Sequence, residues 1–236
     1  MSLYSKNIDN ILDEYDANFD HYKSYKDRLV VILKELFNKT TIPIHSVSGS
    51  IMSRGELRSK LIAAGAIYNS LGDIHNLVSL TVVTYFYDDI NLSLSLIGKE
   101  FFVEEIALSE LEEEAQKHFG ILIKRHSLML PDSKNGRVEN ERFSSVRAEL
   151  KVRTSLQDSW FLVKNVFNDI ADRDNLTISE IDQLAQVSYL LKAADTELCR
   201  IKTSLAEKKE QDKTANQNLE LEEVQINNTE QETNES

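Results

Sequence analysis

Residues 77–87, LVSLTVVTYFY, are so rich in β-branched and aromatic side chains that a chain carrying them is committed to building a sheet. One strand is not stable alone, so others must be found to pair with it. Residues 145–153 alternate cleanly. Val146, Ala148, Leu150 and Val152 fall on one face, and Arg147, Glu149, Lys151 and Arg153 on the other. Such a strand lies between a core and a polar surface. Residues 44–51, 101–106 and 121–130 supply three more strand candidates, and 131–136 (PDSKNG) reads as a turn or longer hairpin connection.

The strands are separated by helical patterns. Residues 8–37 place Ile8, Ile11, Leu12, Tyr15, Phe19, Tyr22, Leu29, Ile32, Leu33 and Leu36 at spacings of three and four, which predicts a long amphipathic helix or two in succession. Residues 53–64 read as a helix stopped by Gly65, and 90–101 as one capped by Asp88–Asp89. Residues 108–119 read as a short acidic helix. Helices over 155–170 and 177–206 close the domain, with Trp160, Leu162, Val163, Val166 and Phe167 as the core face of the first. This order predicts an α+β protein: one mixed sheet flanked by helices, with long helices at both ends.

Composition sets the outer limits. The chain has 236 residues, enough for one domain and an appendage. Its longest apolar runs are far too short to span a bilayer, and the N-terminus turns acidic at once, unlike a signal peptide. Cys199 is the only cysteine, which rules out an internal disulfide and suits a reducing cytoplasm. The net charge of −12 disfavours general nucleic-acid binding but leaves room for a local basic pocket. From residue 208 to the end there are eight acidic and three basic residues and no aromatic one, so residues 1–206 are expected to fold and 207–236 to be an acidic disordered tail. Leu219, Leu221, Val224 and Ile226 would be the tail's apolar contacts if it served as an interaction segment. His45, His75 and His126 lack any partner at a metal-ligand spacing.

Four blocks in order carry a family resemblance. They are Val47-Ser48-Gly49-Ser50-Ile51-Met52 with Lys60 downstream; Ile74 to Val83; Gly120 to Leu130; and Ala148-Glu149-Leu150-Lys151-Val152-Arg153-Thr154 followed by Trp160. They are similar to the V-x-G-R-h-K, D-h-h-G-h-R, G-Y-x-S-x-H and E-h-Q-h-R-T blocks of the RelA/SpoT family of alarmone synthetases, where h is apolar. The resemblance covers roughly residues 43–170 and implies a nucleotidyltransferase-like mixed sheet in a stand-alone small synthetase.

The resemblance also implies a chemistry, the transfer of pyrophosphate from ATP to the 3′-hydroxyl of GTP or GDP with Mg²⁺ held by acidic residues. Its catalytic positions fall here on Glu149 and Asn76, with Asp73, one turn before Asn76, as a possible replacement carboxylate. Its nucleotide-binding positions fall on Lys60, Arg153, Lys151, His126 and Lys124, and any metal on Glu149. Several positions are replaced: Ser50 and Met52 stand where phosphate-gripping Arg and Lys would be, and Ser79 and Thr81 follow Asn76 in place of Gly and Arg. Glu56 replaces a Ser, the guanine-stacking Tyr is missing, and Lys164-Asn165 replaces a Glu-His pair. A lysine at 151 can meet Glu149 on the same strand face and stand in for the metal's charge. Two classes remain: a catalytically impaired pseudo-synthetase serving as a nucleotide- or protein-binding module in alarmone metabolism, or an active divergent pyrophosphokinase. The number of replaced positions favours the first. ATP, GTP or GDP, a protein partner or a second copy of the chain are the expected partners.

Overall fold

The computed structural model describes residues 3–65, 68, 70–74, 76–107, 124–130, 143, 146–170 and 177–234. The expected helix over 108–119, the turn over 131–136 and His75 lie outside the described residues. Met1–Lys192 form one compact unit and Ala193–Ser236 a second.

In the first unit, α1 (Leu3–Asn38) leads into β1 (Ile44–Ile51) and α2 (Arg54–Ala64). A 3₁₀ turn, Leu71–Asp73, precedes β2 (Val78–Thr84), and α3 (Asp88–Ile97), β3 (Phe102–Glu105), β4 (Arg125–Met129) and β5 (Ala148–Thr154) follow. Two helices come last, α4 (Ser155–Ile170) and α5 (Ile178–Asn234), the latter running on into the second unit. The five strands form one sheet in the order β1-β2-β5-β4-β3. Only β2 and β5 run parallel, and every other neighbouring pair is antiparallel. The expected α+β architecture with one mixed sheet and long terminal helices is therefore what the chain adopts.

One face of the sheet is apolar. Val47, Val78, Leu80, Val82, Leu128, Ala148, Leu150 and Val152 pack against Tyr25, Leu29, Leu33 and Phe37 of α1 and Ile97 of α3. Gly49 marks the closest approach: a Cβ there would lie 2.9 Å from Lys26 Cγ, 3.0 Å from Val30 Cγ2 and 3.1 Å from Leu80 Cδ2. The first turns of α1 enter a second cluster, in which Ile8, Ile11, Leu12 and Tyr15 meet Leu57 and Leu61 of α2 and Leu71, Ile74 and Leu77. The long apolar stripe of α1 thus serves two cores in succession, although Phe19 within it is 40% exposed.

Local chemistry fixes the helix ends. Ser53 and Glu56 form a capping box at the start of α2, Ser53 Oγ accepting the Glu56 N–H and Glu56 Oε2 accepting the Ser53 N–H. Gly65 ends that helix at φ +62°, a conformation open to glycine. Thr154 and Gln157 cap α4 in the same reciprocal way.

Two expectations differ from what is seen. The core face assigned to 155–170 is limited to Trp160, 5% exposed. Leu162, Val163, Val166 and Phe167 are 43–58% exposed, while Gln157 and Trp160 are buried and Asp158 and Phe161 meet Arg153 of β5. The last helix also continues to Asn234 through the segment read as a disordered tail. No Gly or Pro occurs after residue 177, and the Glu, Gln, Lys and Leu found there have good helix propensity, so nothing in the sequence stops the helix.

Candidate functional site

The register of the ladders builds a polar face opposite the core. Directly paired residues share a face, so Ser50 and Ser48 of β1 lie beside Ser79 and Thr81 of β2. Those two in turn lie beside Glu149 and Lys151 of β5. On the far side, Ser127 and Arg125 of β4 stand beside Glu149 and Lys151. A row of hydroxyls thus surrounds one acid and two bases in the middle of the sheet.

Glu149 is the centre of this face. It is 3% exposed, yet it is charged on a strand whose other face is the core. A carboxylate removed from water needs compensation, and two cations provide it. Lys151 Nζ lies 2.6 Å from Oε1 and Arg125 Nη1 lies 3.7 Å from Oε2. Lys151 and Arg125 side chains are each 23% exposed, so the cluster is open to solvent on its cationic side.

Lys60 and Asn76 form a second group. Lys60 Nζ donates to Asn76 Oδ1 at 2.5 Å and sits 5.6 Å from the centre of the Tyr68 ring. Asn76 lies just before β2, and the parallel register sets Val78 beside Ala148 and Ser79 beside Glu149. Asn76 and Glu149 therefore occupy the same entry end of the β2/β5 pair. Asp73 is exposed and serves locally: its Oδ2 accepts the Ser70 N–H at 3.0 Å, closing the 3₁₀ turn.

The remaining candidates are dispersed. Arg153 shares the face of Glu149 but lies four residues further along β5, roughly 13 Å away at the rise of a strand. Its Nη2 contacts Asp158 Oδ1 of α4 at 2.5 Å, and its guanidinium sits 4.5 Å from the centre of the Phe161 ring. Burial pulls its pKa down, with Asp158 opposing that shift. His126 pairs with Leu150 and so lies on the core face, away from Glu149. Burial lowers its pKa, Glu105 and the Leu150 backbone pull it up, and Lys124 adds to the lowering. Lys124 itself is spent on Glu105 Oε2 at 3.0 Å in an exposed pair. Glu56, which replaces a Ser of the family pattern, is engaged in its helix cap, and those hydrogen bonds hold its carboxyl below the usual range.

Of the adjacent bases Lys124 and Arg125, it is Arg125 that faces Glu149. The register of β4 against β5 decides which of the two does so, and that register is not written in β4 itself.

The mixed sheet with its flanking helices is the fold of the small alarmone synthetases. The chain superposes on small alarmone synthetase 1 from Bacillus subtilis with a TM-score of 0.66 and 17% identity, over 83% of this chain and 99% of that one. Small alarmone synthetase 2 of the same organism gives 0.59 and 18%, over 83% and 98%. A GTP pyrophosphokinase family protein from Streptococcus pneumoniae gives 0.60 and 16%, over 87% and 96%. Small alarmone synthetase 1 is also known bound to its product pppGpp and to AMPCPP. No sequence-family model and no curated protein matches the chain.

The residues present do not suit a magnesium ion. Mg²⁺ is held through carboxylates in near-octahedral oxygen coordination. Here one buried carboxylate already carries an ammonium and a guanidinium, and the other candidate oxygen, that of Asn76, is uncharged and bonded to Lys60. Among the described residues no group of three acidic, histidine or cysteine side chains could hold a metal.

Proposed function

We propose that this protein is a catalytically impaired relative of the alarmone synthetases that binds purine nucleotides, ATP and GTP or GDP among them, without transferring pyrophosphate. The observation that carries this reading is Glu149, neutralised by Lys151 at 2.6 Å and by Arg125. Phosphoryl-group transfer depends on positioning and on charge neutralisation supplied by a metal. A carboxylate occupied by two cations cannot supply that metal. Ser50, Met52 and Thr81, which take the place of three basic residues in the family pattern, weaken the grip on a triphosphate further. Binding itself is supported by Lys60, Lys151, Arg125 and Arg153, and by the nucleotide complexes of a protein with the same fold. We also place the protein in the cytoplasm. No described helix is long and apolar enough to cross a membrane, and Cys199 is a free thiol.

The test is a single incubation of the full chain with labelled ATP and GTP or GDP in Mg²⁺, resolved by chromatography, beside calorimetric titration of each nucleotide. The expected outcome is binding with no labelled tetra- or pentaphosphate formed. Mg²⁺-dependent product that disappears in Glu149→Gln would instead establish the active pyrophosphokinase.

A further inference from the structure

We propose that the Lys151 ammonium is a built-in replacement for a divalent cation: it masks Glu149 permanently and makes nucleotide binding at this face indifferent to magnesium. The inference rests on the nucleotide-binding reading above and adds the means by which the phosphates are met.

Three features of the site lead to it. First, Lys151 Nζ approaches Glu149 Oε1 to 2.6 Å, a charge-assisted contact that takes up the oxygen a metal would need. Arg125 covers the other oxygen from the neighbouring strand. A divalent ion entering there would displace one cation and face both. Second, an ammonium has three N–H donors, and Glu149 is the one partner Lys151 has among the described residues. Lys151 keeps donors for an incoming oxyanion, and the side chain is 23% exposed, so it reaches solvent. With Arg125 beside it, two cations face the one carboxylate of Glu149 among the described contacts. Third, among the described residues the strand neighbours on this face offer no competing acid. Ser79, Thr81 and Ser127 are uncharged, and Glu104 is two strands from Glu149, roughly 10 Å at the spacing of a sheet. Neutral hydroxyls and two cations make a phosphate site, and nothing there calls for a metal.

The consequence is a switch in metal dependence that depends on one residue. In the protein as it stands, GTP should bind with the same Kd, within about twofold, in excess MgCl₂ and in EDTA. Lys151→Gln keeps a polar side chain, one atom shorter, and removes its charge. It should weaken GTP binding in EDTA by about tenfold or more, the loss expected for one charge-assisted hydrogen bond, and Mg²⁺ should restore part of it. Lys151→Arg should behave as the unaltered protein. Free Mn²⁺, followed by its electron paramagnetic resonance without nucleotide, gives a readout that does not need GTP to bind. Wild type should leave Mn²⁺ free, and Arg125→Gln/Lys151→Gln should bind it in a manner lost on adding Glu149→Gln. Mn²⁺ bound by wild type and released by Glu149→Gln would overturn the proposal without any Lys151 variant. So would metal-free behaviour of a folded double variant. If no nucleotide binds wild type, the proposed function falls, and the Mn²⁺ titrations still decide whether Lys151 masks Glu149.

Discussion

Glu149 shows how much a single residue can hold in place. Buried ion pairs are weak sources of net stability, but breaking one by removing a partner leaves an uncompensated charge in the interior. Lys151 and Arg125 are partly exposed, so the penalty is smaller than for a fully enclosed pair. Lys151→Ala should lower unfolding free energy by about 1–3 kcal/mol in urea titrations. Glu149→Gln together with Lys151→Gln should cost less than the sum of the two single changes, with a coupling of about 1 kcal/mol in a double-mutant cycle. A different residue-scale effect belongs to His126. Its folded pKa lies below the usual 6.5, chiefly because it is buried. Protonation therefore favours the unfolded chain: the stability tied to neutral His126 is complete above 6.5 and is lost as the pH falls through the lowered value. The melting temperature of wild type should drop more on acidification from about pH 7.5 to about pH 5 than that of His126→Gln, and equal drops would remove the group from the account.

At the scale of elements, the strands were legible where side-chain chemistry decides, and obscure where register does. Residues 145–153 announced an apolar face and a polar face, and β5 presents Leu150 to the core and Glu149 to the other side. The alternation could not say which residues of β4 stand beside them, so His126 and Lys124 were grouped with Glu149 when the ladder delivers Arg125 and Ser127. Asp73 and Glu56 hold a turn and a cap rather than a site, since acidic side chains close backbone groups near them in sequence. On α4 the 3.6-residue periodicity was real, but only Trp160 of that stripe is buried, because periodicity shows that a helix has an apolar face and not whether another element covers it. Gly49 links the first sequence block to packing. Gly49→Ala would push a methyl against Lys26, Val30 and Leu80 and should cost about 1–3 kcal/mol by urea titration. Lys26 Cγ belongs to a flexible side chain that can give way, so the lower half of that range is expected. Thr154→Ala removes one half of the α4 cap and should cost about 1 kcal/mol in the same measurement.

For the whole molecule, the question is where the folded, cooperative part of the chain ends. Cys199 is the last buried residue among the described ones, and every described side chain from Thr203 to Thr214 is exposed. A helix gains most of its stability from an apolar face packed on something else, and a solitary polar helix in water is marginal. The part of α5 beyond Ala206 therefore can be helical without being part of the cooperative unit, which reconciles a continuous α5 with a composition poor in apolar surface. The expected outcome is specific. A chain ending at Ala206 should unfold in urea with a free energy within about 0.5 kcal/mol of the full chain, as for changes remote from any packed feature. Its slope against urea should be nearly unchanged too, because that slope follows the surface exposed on unfolding. Far-ultraviolet circular dichroism should fall only by the helix lost. Nucleotide affinity should also stay the same, since Lys60, Glu149, Lys151 and Arg153 all precede the cut. A large loss of stability, or a change in oligomeric state on gel filtration, would show instead that Leu219, Leu221, Val224 and Ile226 make contacts the fold depends on, and would move the boundary of the folded unit to the end of the helix.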